Sequence, residues 1–256
     1  MLKKISIVFL VICLFLTGCS SELVEIDEID SLVGRKIGVT TGSEYDSIAS
    51  NNIEDVEIAY YNSYSDQISA LKSGKIDGFL TDEPLAREML KNNNGIKILD
   101  DRLTEDSYAF AINPKKDKLK SEIDKVIIEM KKDETLKRFE DKWFSDNEDD
   151  KVLEEYNYDA QKGVIKFATV SGSAPFAYVK NNKIVGYDID VINYIGYKLG
   201  YEIEIVELAF EGMIAAIASG KVDVAGCSII VTEERKKSVL FSEANYTGGI
   251  VVVVRD

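Results

Sequence analysis

The chain has 256 residues, 31 Lys and Arg against 45 Asp and Glu for a formal net charge of −14, and no histidine. That acidic balance argues against nucleic acid and anionic lipid as electrostatic partners, since both need a basic surface. The missing imidazole removes the commonest general base and zinc ligand, which disfavours triad hydrolases and zinc enzymes.

In chain order, Lys3 and Lys4 precede an apolar run from Ile5 to Leu16. About twelve apolar residues are too few to span a bilayer, where roughly twenty are needed, so residues 1–18 read as an export signal. The tetrad Leu16-Thr17-Gly18-Cys19 resembles the lipobox of bacterial lipoproteins, which implies lipidation of Cys19 and a tether over residues 19–31. Losing Lys3 and Lys4 takes the charge from −14 to −16. Only Cys227 then keeps a thiol, so no intrachain disulfide is expected, and roughly 235 residues must hold the fold by their core.

From Arg35 the pattern is a buried strand (Lys36 to Thr40), a turn (Thr41-Gly42-Ser43) and a helix start. The segment Ile68 to Asp77, Ile-Ser-Ala-Leu-Lys-Ser-Gly-Lys-Ile-Asp, places apolar residues at helical spacing before a Gly suited to a C-cap and a β-branched residue that leads into a strand. Between Asp117 and Phe144 the apolar positions Leu119, Ile123, Val126, Ile127, Met130, Leu136, Phe139 and Trp143 have the spacing of amphipathic helices, with Trp143 as a packing residue. Residues 145–159 are acidic and read as a solvated linker; their spacing lacks the Gly and terminal Glu of an EF-hand calcium loop. The opening grammar then returns at Lys166 to Val170 followed by Ser171-Gly172-Ser173, and Ile214 to Asp223 echoes Ile68 to Asp77. Two α/β units with mainly parallel sheets flanked by helices are predicted.

The motifs Ala174-Pro175-Phe176, Ile184-Val185-Gly186-Tyr187-Asp188-Ile189-Asp190, Phe210-Glu211-Gly212-Met213, Ser219 to Asp223, Thr232-Glu233-Glu234-Arg235 and Phe241-Ser242 resemble the first lobe of the family 3 extracellular solute-binding proteins. These are amino-acid receptors of ABC importers, of type II periplasmic-binding-protein fold. Leu32 to Val39, Ser73 to Asp77, Thr81-Asp82-Glu83 and the helices ending Lys142-Trp143-Phe144 resemble what normally follows that lobe. The order is reversed, which implies a circular permutation or a piece of a tandem protein, the former being the simpler account. The resulting division is 32–104 as the second lobe of the usual order, 105–144 as hinge strand and terminal helices packing on the first lobe, 145–159 as linker and 160–256 as the first lobe.

The resemblance implies an amino-acid site between the lobes. Arg235 matches the position that clamps the α-carboxylate, for which the guanidinium fork is suited, and Asp82 matches the acceptor of the ammonium, with helix N-capping as its other expected role. Gly42 and Ser43 open a helix whose N–H groups face an anion, Phe210 matches an aromatic wall, and Ser228 and Thr232 complete the set. Ile230 departs from a usual Ser or Thr hydroxyl, the loss of one hydrogen bond to a charged group being worth roughly 1.5–3 kcal/mol. Ser173 departs from a usual aromatic, leaving Tyr178 or Tyr45 to cover the ligand, and Glu44 adds a negative charge beside Gly42. The expected protein is an exported, lipid-anchored, monomeric receptor with neither catalytic residues nor cofactor nor metal, passing a small polar amino acid to a permease. A sensory module with a separate membrane partner, a member that no longer binds, and a prephenate-type dehydratase using Glu44 or Asp82 are the alternatives.

Overall fold

The computed structural model describes residues 25–157 and 161–256; the signal segment 1–18 and Cys19 lie outside them. The first run alternates β1 Lys36–Thr40, α1 Tyr45–Asn52, β2 Glu57–Tyr61, α2 Tyr64–Lys72, β3 Gly78–Asp82, α3 Glu83–Asn92 and β4 Ile96–Ile98. A middle run holds β5 Asp106–Ile112, α4 Asp117–Lys132 and α5 Thr135–Trp143. The last run holds β6 Val164–Thr169, β7 Gly172–Ser173, β8 Ala177–Lys180, β9 Lys183–Val185, α6 Tyr187–Leu199, β10 Glu202–Glu207, α7 Met213–Ser219, β11 Val224–Ala225, α8 Glu233–Lys236, β12 Leu240–Gly248 and β13 Ile250–Arg255.

These strands form two five-stranded sheets of one plan, in the orders β2-β1-β3-β13-β4 and β10-β6-β11-β5-β12, and a small sheet β7-β8-β9. In the first, β1 lies parallel to β2 and β3, while β13 runs antiparallel to β3 and β4. In the second, β6 lies parallel to β10 and β11, while β5 runs antiparallel to β11 and β12. The parallel neighbours need crossover helices, and each antiparallel insert comes from another run of the chain, β13 from its C-terminal end and β5 from the middle run. Residues 250–255, grouped by sequence with the 160–256 lobe, thus complete the sheet of the other lobe. Strand β13 is buried on both faces: Val252 and Val254 join the cluster of Leu32, Val39, Ala49 and Leu80, whereas Val251 and Val253 join that of Leu71, Phe79 and Ala86.

The internal echo is reproduced bond for bond. Helix α2 ends at Gly74 with φ +72°, Lys75 N donating to Ala70 O at 2.9 Å; α7 ends at Gly220 with φ +81°, Lys221 N donating to Ala216 O at 3.0 Å. Asp77 then exchanges two hydrogen bonds with the backbone of Lys36, and Asp223 two with that of Lys166. The β-branched Ile76 and Val222 are buried just before the strands rather than opening them.

The eight apolar positions of α4 and α5 are all buried in the core of the β5–β6 lobe. Trp143 donates Nε1 to Asp190 Oδ2 at 2.8 Å, and Lys142 pairs with the same carboxylate. Two sequence expectations need correction. Residues 25–31 are not tether, because Ile26 is only 3% exposed within the core of the 32–104 lobe and Asp27 pairs with Lys97 at 2.5 Å. The segment expected as a solvated linker carries exposed acids but is strapped down: Lys151, 2% exposed, pairs with Glu148 and Glu88, Glu154 N donates to Asp190, and Tyr156 stacks on Tyr197.

Two segments join the lobes, residues 99–105 before β5 and Gly248-Gly249 before β13. They run side by side, Leu103 N donating to Ile250 O at 2.8 Å and Ile250 N to Thr104 Oγ1 at 3.2 Å. A Cβ on Gly249 would lie 2.1 Å from Thr104 O, so only glycine permits this approach.

Candidate functional site

Between the lobes lies a cavity of about 90 Å³ lined from one side by Thr40, Ser43, Tyr45, Asn62, Ser63 and Tyr64, and from the other by Val170, Gly172, Ser173, Phe210, Cys227 and Ser228. Ser228 Oγ donates to Asp82 and Arg235 Nη2 to Gly42 O across it, so the lobes are closed on each other. Gly42 shows how tightly: at φ +80°, a Cβ there would meet Glu211 Cα of the opposite lobe at 2.7 Å.

Strand β3 ends on Asp82, whose side chain is fully buried. Asp82 stands at the N-cap of α3 but makes no side-chain cap bond, so the capping role is not used. Instead Oδ2 accepts from Tyr45 Oη and from Ser228 Oγ across the cleft, both at 2.8 Å, while Oδ1 has no partner among the described residues. Burial pushes the carboxyl's pKa up against nearby phenol and serine hydroxyls, because no cation stands against it. The buried Tyr108 hydroxyl meets no hydrogen-bond geometry among the described residues but lies close enough to the same carboxyl to oppose that rise.

Ser228 reaches Asp82 because its backbone takes φ +46°, a left-handed conformation costing a non-glycine residue roughly 1–3 kcal/mol. Its N–H faces Asp188 Oδ2 at 3.4 Å, and Asn245 Nδ2 donates to Asp188 Oδ1 at 3.2 Å. Asp188 is buried, which pushes its pKa up to about 7. Cys227 also lines the cavity, its thiol pushed up to about 12 by burial and therefore unreactive at neutral pH.

Arg235 is 6% exposed. Its Nη1 donates to Ile230 O at 3.0 Å, Nη2 to Gly42 O at 3.1 Å, and Nε faces Glu44 Oε1 at 3.2 Å. The face of Phe210 lies 5.8 Å away, within cation–π range. Burial lowers the guanidinium pKa while Glu44 opposes that shift. Thr232 caps α8 by accepting from Arg235 N at 3.2 Å, a positioning contact within its own lobe.

Three expectations change here. The Ile230 side chain is not among those lining the cavity: it is buried in a cluster with Leu80 and Tyr45 of the opposite lobe, and its carbonyl accepts from Arg235. The Ser43 N–H is taken by Thr40 O at 3.1 Å and the Ser43 hydroxyl by the start of α1, so Ser43 offers no unengaged N–H to an anion. Of the two covering tyrosines, Tyr45 lines the cavity, whereas Tyr178 packs edge-on against Trp143. Sequence reasoning missed Asn62, Tyr64 and Tyr108 as site residues, for they belong to no motif. Asp188 was quoted as part of a motif without a role, and its place among apolar neighbours was the available signal.

Among the described residues no helix is long and apolar enough to cross a membrane and no cluster of three or more metal-ligating side chains occurs.

Residues 165–256 match the sequence model of the bacterial extracellular solute-binding proteins, family 3. Arginine-binding extracellular protein ArtP of Bacillus subtilis (strain 168) is 38% identical over 79 residues, 31% of each chain. A probable histidine-binding protein of Campylobacter jejuni is 38% identical over 82 residues, 32% of each chain. The chain thus spans about a third of the length of these curated relatives. Among solved structures, the arginine-bound form of domain 1 from TmArgBP is 32% identical over 37% of this chain and 82% of that one, with a TM-score of 0.32.

Proposed function

We propose, from the match of residues 165–256 to the bacterial extracellular solute-binding proteins, family 3, that this chain is an exported receptor that captures a small polar amino acid between its lobes for an ABC importer. The family is one of receptors, not enzymes. The observation that carries the reading is the fully buried Asp82, which is faced by the hydroxyls of Tyr45, Ser228 and Tyr108 and pairs with no cation among the described residues. A buried carboxylate in that state is stabilised by an ammonium brought by a ligand. Arg235 supplies the opposite charge from the other lobe, so a zwitterion on one carbon bridges both lobes and favours closure. Asn62, Ser63 and Ser173 give the cavity a polar wall suited to a short polar side chain. The lobes part about the paired segments 99–105 and 248–249 to admit it. In this reading the chain is a circular permutation of the family's order, Cys19 carries a lipid anchor, and the protein acts as a monomer. A second reading, a receptor that has lost binding, is favoured by the small cavity.

The test is calorimetry with the common amino acids against the parent, Arg235→Ala and Asp82→Ala. Each variant is expected to lose roughly 2–5 kcal/mol of binding, the scale for breaking a buried charge pair. An Arg235→Ala variant that binds with parental affinity removes the cleft as an amino-acid site.

A further inference from the structure

The cleft is closed by the same groups that would hold the ligand. The edge of the Arg235 guanidinium formed by Nε and Nη2 is the one that takes a carboxylate side-on through two parallel hydrogen bonds. Here that edge is met by Glu44 Oε1 at 3.2 Å and Gly42 O at 3.1 Å, two oxygens from the opposite lobe. At the other end, the Ser228 hydroxyl donates across the cleft to Asp82 Oδ2, where a ligand ammonium would donate. Glu44 is only 27% exposed and Arg235 6%, so their attraction is weakly screened.

We propose that Glu44 is an internal competitor for the ligand's carboxylate: it latches the lobes when the cleft is empty and sets the specificity of the site. This rests on the amino-acid reading above. A ligand with a carboxylate replaces Glu44 on Arg235 and recovers the bond it breaks, whereas an amine without one leaves the latch in place. Selection then acts on the exchange of one carboxylate for another, since a ligand shifts the closure only by its differential interaction with the two states.

Hydrogen–deuterium exchange of the ligand-free chain tests the latch without any ligand. In Glu44→Ala, amides of residues 42–48 and 228–235 are expected to exchange faster by on the order of tenfold, the scale of losing one charge-assisted hydrogen bond, with Glu44→Gln intermediate. Parental exchange in both variants overturns the latch. Calorimetry with L-serine, L-threonine and L-asparagine then reads the competition: binding in Glu44→Ala should tighten by on the order of tenfold. Faster exchange with unchanged affinity overturns the competitor role. Faster exchange with no binding of any of the three by parent or variant upholds the latch and counts against the amino-acid reading instead.

Discussion

Asp188 couples the cleft to pH. It is buried beside Ser228 N and Asn245 Nδ2, with Asp82 as a further negative influence, and its pKa stands at about 7 against an ordinary 3.8. Between those values the folded chain holds a proton that the unfolded chain has released. Stability from this group is therefore fully present below about pH 4 and is lost as pH rises through about 7, at up to about 1.4 kcal/mol per pH unit. Asp188→Asn carries no such proton. Urea unfolding at pH 5 and pH 7 should show the parent losing stability relative to Asp188→Asn as pH rises; a constant difference between the two proteins would show that Asp188 ionises in the fold as it does in the unfolded chain.

At the scale of elements, the helix pair α4–α5 and the acidic strap meet at one buried carboxylate. Asp190 accepts from Trp143 Nε1 and Glu154 N and pairs with Lys142. Asp190→Ala strands two donors and takes the nearer of two carboxylates from Lys142 Nζ, which keeps Val152 O and Glu154, and breaking such a buried pair costs about 3–5 kcal/mol. Denaturant unfolding checks this, and a loss below about 1 kcal/mol would mean that water satisfies these donors. The strap's role was hidden from sequence because its acids dominate composition, whereas Lys151 and Tyr156 hold it through contacts with distant residues. What was legible was local. The paired turns at Gly74 and Gly220 follow from helical spacing, a C-cap glycine and an Asp that bonds the first strand of its own unit. The Glu44–Arg235 and Ser228–Asp82 contacts depend on how two lobes close, and the residues of the latter stand 146 positions apart. No periodicity or motif encodes that. Ile230 misled for a related reason: alignment to a motif assigned its side chain to the ligand, while it is buried against apolar residues of the opposite lobe and its carbonyl serves Arg235.

At the scale of the molecule, each lobe borrows one strand from another run of the chain, and the described body's two ends meet on one sheet edge. Val254 and Arg255 pair with Lys97 and Ile96 of β4, Asp256 N donates to Gly95 O, and Lys97 in turn pairs with Asp27. A short linker can therefore join residue 256 to residue 25 without crossing the fold. Opening the chain between Asn157 and Gln161 would place residues 161–248 first, then β13 and the first-run lobe, then β5 and the helices α4 and α5. This is the order that the family resemblance expects. All pairings of both sheets are kept, and a closing loop changes stability only slowly, by about 0.6 kcal/mol for each doubling of its length. Cuts at exposed surface segments are tolerated best. Such a reordered chain is expected to unfold cooperatively, within about 1–2 kcal/mol of the parent, and to keep the parent's response to Glu44→Ala in hydrogen exchange. Circular dichroism and urea titration of the two chains decide it. A reordered chain that fails to fold would show that the strap, or the present connection through residues 158–160, is required to assemble the lobes, and would count against permutation as the origin of this arrangement.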